Sequence, residues 1–181
     1  MKEIRQIVIA PDSFKGTMDA SQVCQIIQGS ARQYFPDAAV RCIPMADGGE
    51  GMVDAYLKLL GGRKVLLSVQ GLQGRPVACY YGILPDGTAV MEMAACAGLP
   101  LLDGALDPMH TTTYGVGEML LHAERNGVRR VLLGIGGSAT NDGGAGMVQA
   151  LGAKLLDAQG QQIGTGGAAL ETLAEIDISE L

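Results

Sequence analysis

Over residues 1–69 the apolar positions switch repeatedly between strand and helix spacing. "RQIVIAP" is a short β-branched run closed by Pro11, the pattern of a strand. Ala20, Val23, Cys24, Ile27, Ala31 and Tyr34 then recur at helical spacing. Asp19 and Gln22 stand where a capping box would start that helix, and Pro36 marks its end. "AVRCIP" predicts a second strand, "MVDAYLKLLGG" a helix capped by Gly61 and Gly62, and "RKVLLSV" a third strand. The order β-α-β-α-β predicts a doubly wound, parallel, Rossmann-like sheet.

After Val69 the pattern changes. "PVACYYGILPDGTAVMEMAA" is two β-rich runs around Pro85-Asp86-Gly87, a hairpin signal. "TTTYGVGEMLLHAERNG" predicts a helix, "VRRVLLGIG" a strand and "GAGMVQALG" a helix. "AKLLDAQGQQI" adds a strand and turn, and "GGAALETLAEIDISEL" a short helix and the start of a strand. Met91 and Met93 alternate at strand spacing and are expected in the core. The fold class expected is α/β: a first domain over 1–69 and a mixed α+β second domain over 70–181, with the boundary near 68–76. "IDISEL" stops without a cap or linker, so the second domain is expected to be incomplete and the chain truncated.

Composition narrows the classes. The chain has 181 residues, 48% hydrophobic and 18% charged, enough to bury a core and unlike a disordered segment. The net charge of -6 argues against nucleic-acid or membrane binding driven by overall charge, but an anion can still be held by local amides and a lysine. No apolar run is long enough to span a bilayer. Cys24, Cys42, Cys79 and Cys96 are scattered without a C-x-x-C, so reduced thiols in a cytoplasmic protein are expected.

Three strand-to-helix loops are candidate sites, at the sheet edge where α/β folds bind ligands. "PDSFKGT" offers Asp12, Ser13, Thr17 and the mobile cation of Lys15. "MADGGEG" places Asp47 and Glu50 around Gly48 and Gly49; such carboxylates can hold magnesium, take a proton or orient hydroxyls. "GIGGSATNDGGAG" (134–146) contains six glycines and one ionisable side chain, Asp142. Glycine costs backbone entropy, so this loop is expected to make tight turns or to bring bare N–H groups to a ligand. Gly136, Gly137, Gly143 and Gly144 allow close approach, Ser138, Thr140 and Asn141 add polar contacts, and the following helix N-terminus offers N–H groups to an anion. It is neither a Walker A loop nor a clean G-x-G-x-x-G. Asp12 and Asp47 taken singly fit helix capping as well as chemistry, and His110 and His122 fit surface or capping roles.

Together, "APDSFKGT", "PMADGGEG" and "LGIGGSATNDGGAGM" resemble the type 1 glycerate kinase family in order and spacing. The resemblance covers the whole chain but only the N-terminal part of the family's length. It implies a discontinuous Rossmann-like domain completed from the C-terminal segment, a second domain inserted into it, and an active site in the cleft. It further implies ATP-dependent, magnesium-dependent phosphorylation of D-glycerate, usually at the 2-hydroxyl. Carried onto this sequence, it implies catalytic Lys15, Asp47 and Glu50. It also implies substrate or nucleotide binding by Asp12, Ser13, Gly48, Gly49, Gly136, Gly137, Ser138, Ala139, Thr140, Asn141, Asp142 and Gly143; no metal ligand is assigned. Glycerate, ATP and the remaining C-terminal half of the polypeptide are the expected partners, with homo-oligomers allowed. The fragment alone is expected to be inactive. The competing expectation is a non-catalytic module that binds a small molecule or nucleotide.

Overall fold

The structure is a computed structural model that describes residues 4–14, 17–104 and 106–181. It divides into two compact units, Met1–Asp47 and Gly48–Leu181.

The first unit is a β-α-β arrangement. Strands β1 (Gln6–Ile9) and β2 (Ala39–Cys42) pair in parallel across helix α1 (Ala20–Tyr34). The expected capping box is present: Asp19 accepts from the Gln22 N–H at 2.8 Å and donates its own N–H to Gln22 Oε1 at 3.0 Å. Replacing Asp19 by alanine should cost about 1 kcal/mol and speed hydrogen exchange at the Gln22 amide. Ile9, Val23 and Cys24 are buried here, but Ile27 and Tyr34 of the same helical stripe are 42% and 78% exposed. The lengths explain this. A helix of this size runs about 22 Å, whereas two four-residue strands cover only about 13 Å.

The second unit is built on a four-stranded sheet in the order β3-β4-β5-β6 (Arg63–Gln70, Pro76–Ile83, Thr88–Glu92, Arg130–Gly134). The first two pairings are antiparallel and the last is parallel. The expected hairpin at Pro85-Asp86-Gly87 forms, with Asp86 accepting from the Thr88 N–H and hydroxyl at 2.9 and 3.0 Å.

The third strand corrects the sequence expectation. β3 does not extend a parallel sheet over residues 1–69; it pairs antiparallel with β4 along all eight residues. The break between units also falls at Asp47/Gly48 rather than near residue 70. Two local features decide the pairing. "GLQGR" closes a five-residue hairpin, with the Gly71 N–H bonded to the Arg75 carbonyl at 2.7 Å, which costs less chain entropy than a crossover. The strand also alternates: Val69 is buried while Leu66 is 79% exposed, the pattern of a sheet with one solvated face.

Helices α2 (Met52–Leu60) and α3 (Ala94–Ala97), a 3₁₀ turn and α4 (Tyr114–Arg125) connect and cover these strands. Tyr81, Ala89, Met91, Cys96, Val116 and Met119 form the main core between sheet and α4, and Met93 packs against it. Helix α5 (Ala145–Leu151) and the two-stranded antiparallel sheet of β7 (Lys154–Leu156) and β8 (Glu175–Asp177) carry a smaller core of Ala145, Leu155 and Ile163. The four cysteines form no disulfide among the described residues; burial pushes the Cys79 and Cys96 thiols up to about 11 and about 12, which keeps them protonated and unreactive. Among the described residues no helix is long and apolar enough to cross a membrane.

Candidate functional site

In the first unit, pairing between the strands continues past their ends. The Ile43 N–H bonds to the Ile9 carbonyl at 2.8 Å, and the Met45 N–H to the Pro11 carbonyl at 2.9 Å. This brings the Asp12-Ser13 stretch alongside Met45–Asp47 at the C-terminal edge of a parallel strand pair. Asp12 turns back on its own loop, accepting from the Ser13 N–H at 2.7 Å. Asp12 and Asp47 are both exposed. Lys15 lies outside the described residues.

The glycine loops meet in the second unit. Gly48–Gly51 is a turn leading into α2, and Gly134–Gly137 leaves β6. The Gly136 N–H donates to the Gly48 carbonyl at 2.9 Å. A Cβ added at Gly136 would sit 2.9 Å from the Gly49 nitrogen, and one added at Gly134 would strike the Gly48 carbonyl and lie 2.7 Å from Met52 Sδ. Both are close backbone approaches that only glycine permits. Glu50 sits exposed in the first turn.

The loop beyond Gly136 is pinned on one side. Ser138 bridges to Gly98, the Leu99 N–H bonds to the Gly137 carbonyl at 3.1 Å, and the Ala139 N–H to the Ala97 carbonyl at 2.8 Å. The Thr111 hydroxyl donates to the Ala139 carbonyl at 2.9 Å. Ser138 Oγ and Thr140 Oγ1 share a hydrogen bond of 2.8 Å. Among the described residues, the N–H groups of Gly137, Ser138 and Asn141 donate to no acceptor. A pinned loop with spare N–H donors and two hydroxyls is chemically suited to an oxyanion such as a phosphate or a carboxylate.

Asp142 differs from its neighbours. It is 1% exposed, and its carboxylate accepts from the Thr113 N–H and hydroxyl, the Thr112 hydroxyl, and the N–H groups of Gly144 and Gly146, at 2.8 to 3.4 Å. The Met147 N–H is taken by Thr113 Oγ1 at 3.0 Å. The N-terminus of α5 therefore already holds an anion, the protein's own carboxylate, and the sequence expectation of free N–H groups there is corrected. The stretch Gly136–Thr140 is half-buried and Asn141 exposed, with Gly143 at its far end beside Leu170.

Two kinds of residue escaped the sequence reading. Thr111, Thr112 and Thr113, expected within a helix, precede it and are nearly fully buried as the partners of Ala139 and Asp142. Glu92 ends β5, a strand with every residue buried, and its Oε1 accepts from the Val53 N–H at 2.7 Å. Burial raises the Glu92 carboxyl above the usual carboxylate range, while N–H groups of Val53 and Gly51 pull it back and Asp54 and Glu50 push it further up. The visible signal for Glu92 was one acid in an otherwise apolar strand. His110 pairs with Asp107 at the surface at 2.8 Å, and His122 sits in the last turn of α4 with Nδ1 3.1 Å from the Tyr81 hydroxyl.

An α/β chain with two glycine loops locked together at strand ends, one of them with N–H donors that have no acceptor among the described residues, has a backbone suited to an oxyanion. The chain belongs to the glycerate kinase family, whose model matches residues 7–181. It is 52% identical over 178 residues to the glycerate 2-kinase of Escherichia coli (strain K12), covering 97% of this chain and 47% of that protein. It is 48% identical to the glycerate kinase of Bacillus subtilis (strain 168), again over 97% of this chain and 47% of the relative. The crystal structure of a Salmonella typhimurium LT2 protein assigned as glycerate kinase 2 superposes with a TM-score of 0.79 at 50% identity, over 97% of this chain and 48% of the other. The chain thus spans about half the length of the curated relatives it matches.

Proposed function

We propose that this chain supplies the anion-holding loops of an ATP-dependent kinase that phosphorylates D-glycerate at the 2-hydroxyl. The carrying observation is the Gly48–Gly51 turn locked against Gly134–Gly136, with N–H groups just beyond it that have no acceptor among the described residues. Phosphoryl transfer depends on positioning and charge neutralisation, which such a loop provides. As the bond from the glycerate oxygen to the γ-phosphorus forms, the 2-hydroxyl gives its proton to a nearby carboxylate or to water, the bridging bond to the β-phosphate breaks and ADP leaves. Gly137, Ser138, Thr140 and Asn141 hold oxyanion groups of ATP or glycerate. Gly48, Gly49, Gly136 and Ala139 contribute backbone, and Gly143 and Asp142 hold the loop's far end. Asp12, Ser13, Lys15, Asp47 and Glu50 supply the remaining charged and hydroxyl groups.

Magnesium, when bound, neutralises phosphate charge. Among the described residues no group of three or more His, Cys, Asp or Glu side chains could hold a metal. Magnesium is commonly held by one or two carboxylates together with substrate phosphates. Asp47 and Glu50, exposed and acidic, fit as those carboxylates. The parallel β1-α1-β2 unit supports a Rossmann-like first domain, and the second unit the role of the inserted one. We extend the proposal to a cytoplasmic, family-length protein whose remaining half completes the enzyme.

The test is a chimera in which this chain replaces the matching segment of the Escherichia coli relative. It should release ADP only when both ATP and glycerate are present. Binding of either without transfer would favour a non-catalytic module and overturn the proposal. Within the active chimera, Asp47→Asn and Glu50→Gln should each lower kcat/KM, roughly tenfold or more, with different magnesium dependence. Wild-type kinetics for both would reduce this loop to a turn.

A further inference from the structure

We propose that Glu92 is a positioning residue, which fixes the Gly48–Gly51 turn, and Glu50 within it, from the end of β5. The inference rests on the kinase reading for its kinetic consequence but not for its geometry. Helix α2 begins at Gly51, which has a left-handed backbone (φ 88°) and no side-chain cap of its own. The cap comes from elsewhere in the chain: Glu92 Oε1 accepts from the Val53 N–H at 2.7 Å, and the nearby Gly51 N–H favours the charged form of the same carboxylate. A carboxylate at this place satisfies N–H groups that a glycine-started helix leaves open, and it meets the positive end of the helix dipole.

The same residue is tied to the second loop. Glu92 faces Gly134 in the β5–β6 register, and the next residue, Met93, donates its N–H to the Gly134 carbonyl at 2.8 Å. Gly134 begins the stretch whose Gly136 N–H holds the Gly48 carbonyl at 2.9 Å. The turn carrying Glu50 is therefore clamped on both sides: at Gly48 by Gly136, and at Val53, two residues past its end, by Glu92. Glu92 is 7% exposed, so its work is done through these backbone groups and not on a ligand.

Reach and acceptor capacity matter in this arrangement. Glu92→Gln keeps a side-chain oxygen at the same distance. Glu92→Asp keeps the charge but withdraws it by one methylene, and Glu92→Ala removes it. In the active chimera, Glu92→Asp and Glu92→Ala should raise KM for one of the two substrates roughly tenfold while leaving the other KM within about twofold, a selectivity that a general loss of folding would not produce. Glu92→Gln should restore values close to wild type. Amide hydrogen exchange on the same proteins should show faster exchange at Gly51 and Val53 in the Asp and Ala variants only. If the unsubstituted chimera transfers no phosphate, the kinase reading fails and the exchange measurement alone decides on Glu92. Unchanged exchange at Gly51 and Val53 in all three variants would overturn the inference. So would a Gln variant as impaired as the Ala variant.

Discussion

Replacing Asp142 by alanine is expected to lower stability by about 4 kcal/mol, or roughly 10 °C in Tm, the largest effect of any single substitution in the loop. The side chain is 1% exposed and accepts five hydrogen bonds, three from backbone N–H groups and two from threonine hydroxyls. Alanine leaves those N–H groups without an acceptor where water has poor access, and an orphaned buried donor costs about 1–3 kcal/mol. Asp142→Asn keeps one acceptor oxygen but turns an NH₂ toward at least one N–H donor, so an intermediate loss is expected. Thermal and urea unfolding of the three proteins checks this order. Equal stability of all three would mean that the Thr112–Thr113 and Gly144–Gly146 segments are held by packing alone.

Gly136→Ala is expected to cut turnover by more than its loss of stability accounts for. No left-handed backbone is needed at this position, so the substitution carries no conformational strain. The added methyl would lie 2.9 Å from the Gly49 nitrogen and 3.1 Å from the Gly48 carbonyl carbon, backbone atoms that cannot rotate away. The two loops must part by a few tenths of an ångström or more, and kcat/KM should fall about 10- to 100-fold, as expected when reacting groups are displaced. Gly137→Ala is the control. Its φ is 72° and its Cβ would stand 3.4 Å from Ala94 Cβ, so its penalty is conformational. The first variant should lose some stability as the loops part and turnover far beyond it, and the second about 1 kcal/mol through strain. Steady-state kinetics alongside unfolding curves separate the two.

The order of strands and helices was legible in the sequence because each rests on local chemistry. The Asp19–Gln22 box, the Gly61 stop and the Pro85-Asp86-Gly87 turn each act within a few residues. The three glycine-rich loops were legible for the same reason. What the sequence concealed is non-local. The third strand was assigned to the first sheet by its place in the β-α-β-α-β order, but a five-residue hairpin and its alternating burial give it to β4. The free helix N-terminus after the glycine loop was expected from chain order. The structure fills it with Asp142, whose partners Thr112 and Thr113 lie about thirty residues earlier. Glu92 caps a helix 39 residues before it in the chain. No periodicity in one segment can announce a partner in another.

The direct measurement of the anion cradle is backbone amide NMR of the active chimera, titrated with a non-hydrolysable ATP analogue and separately with glycerate. The amides of Gly137, Ser138 and Asn141, which have no acceptor among the described residues, should show the largest shifts with at least one ligand. Those of Gly144 and Gly146, already bonded to Asp142, should stay nearly still. Saturable binding of both ligands with no movement at Gly137, Ser138 or Asn141 would contradict the assignment of this loop to ligand binding.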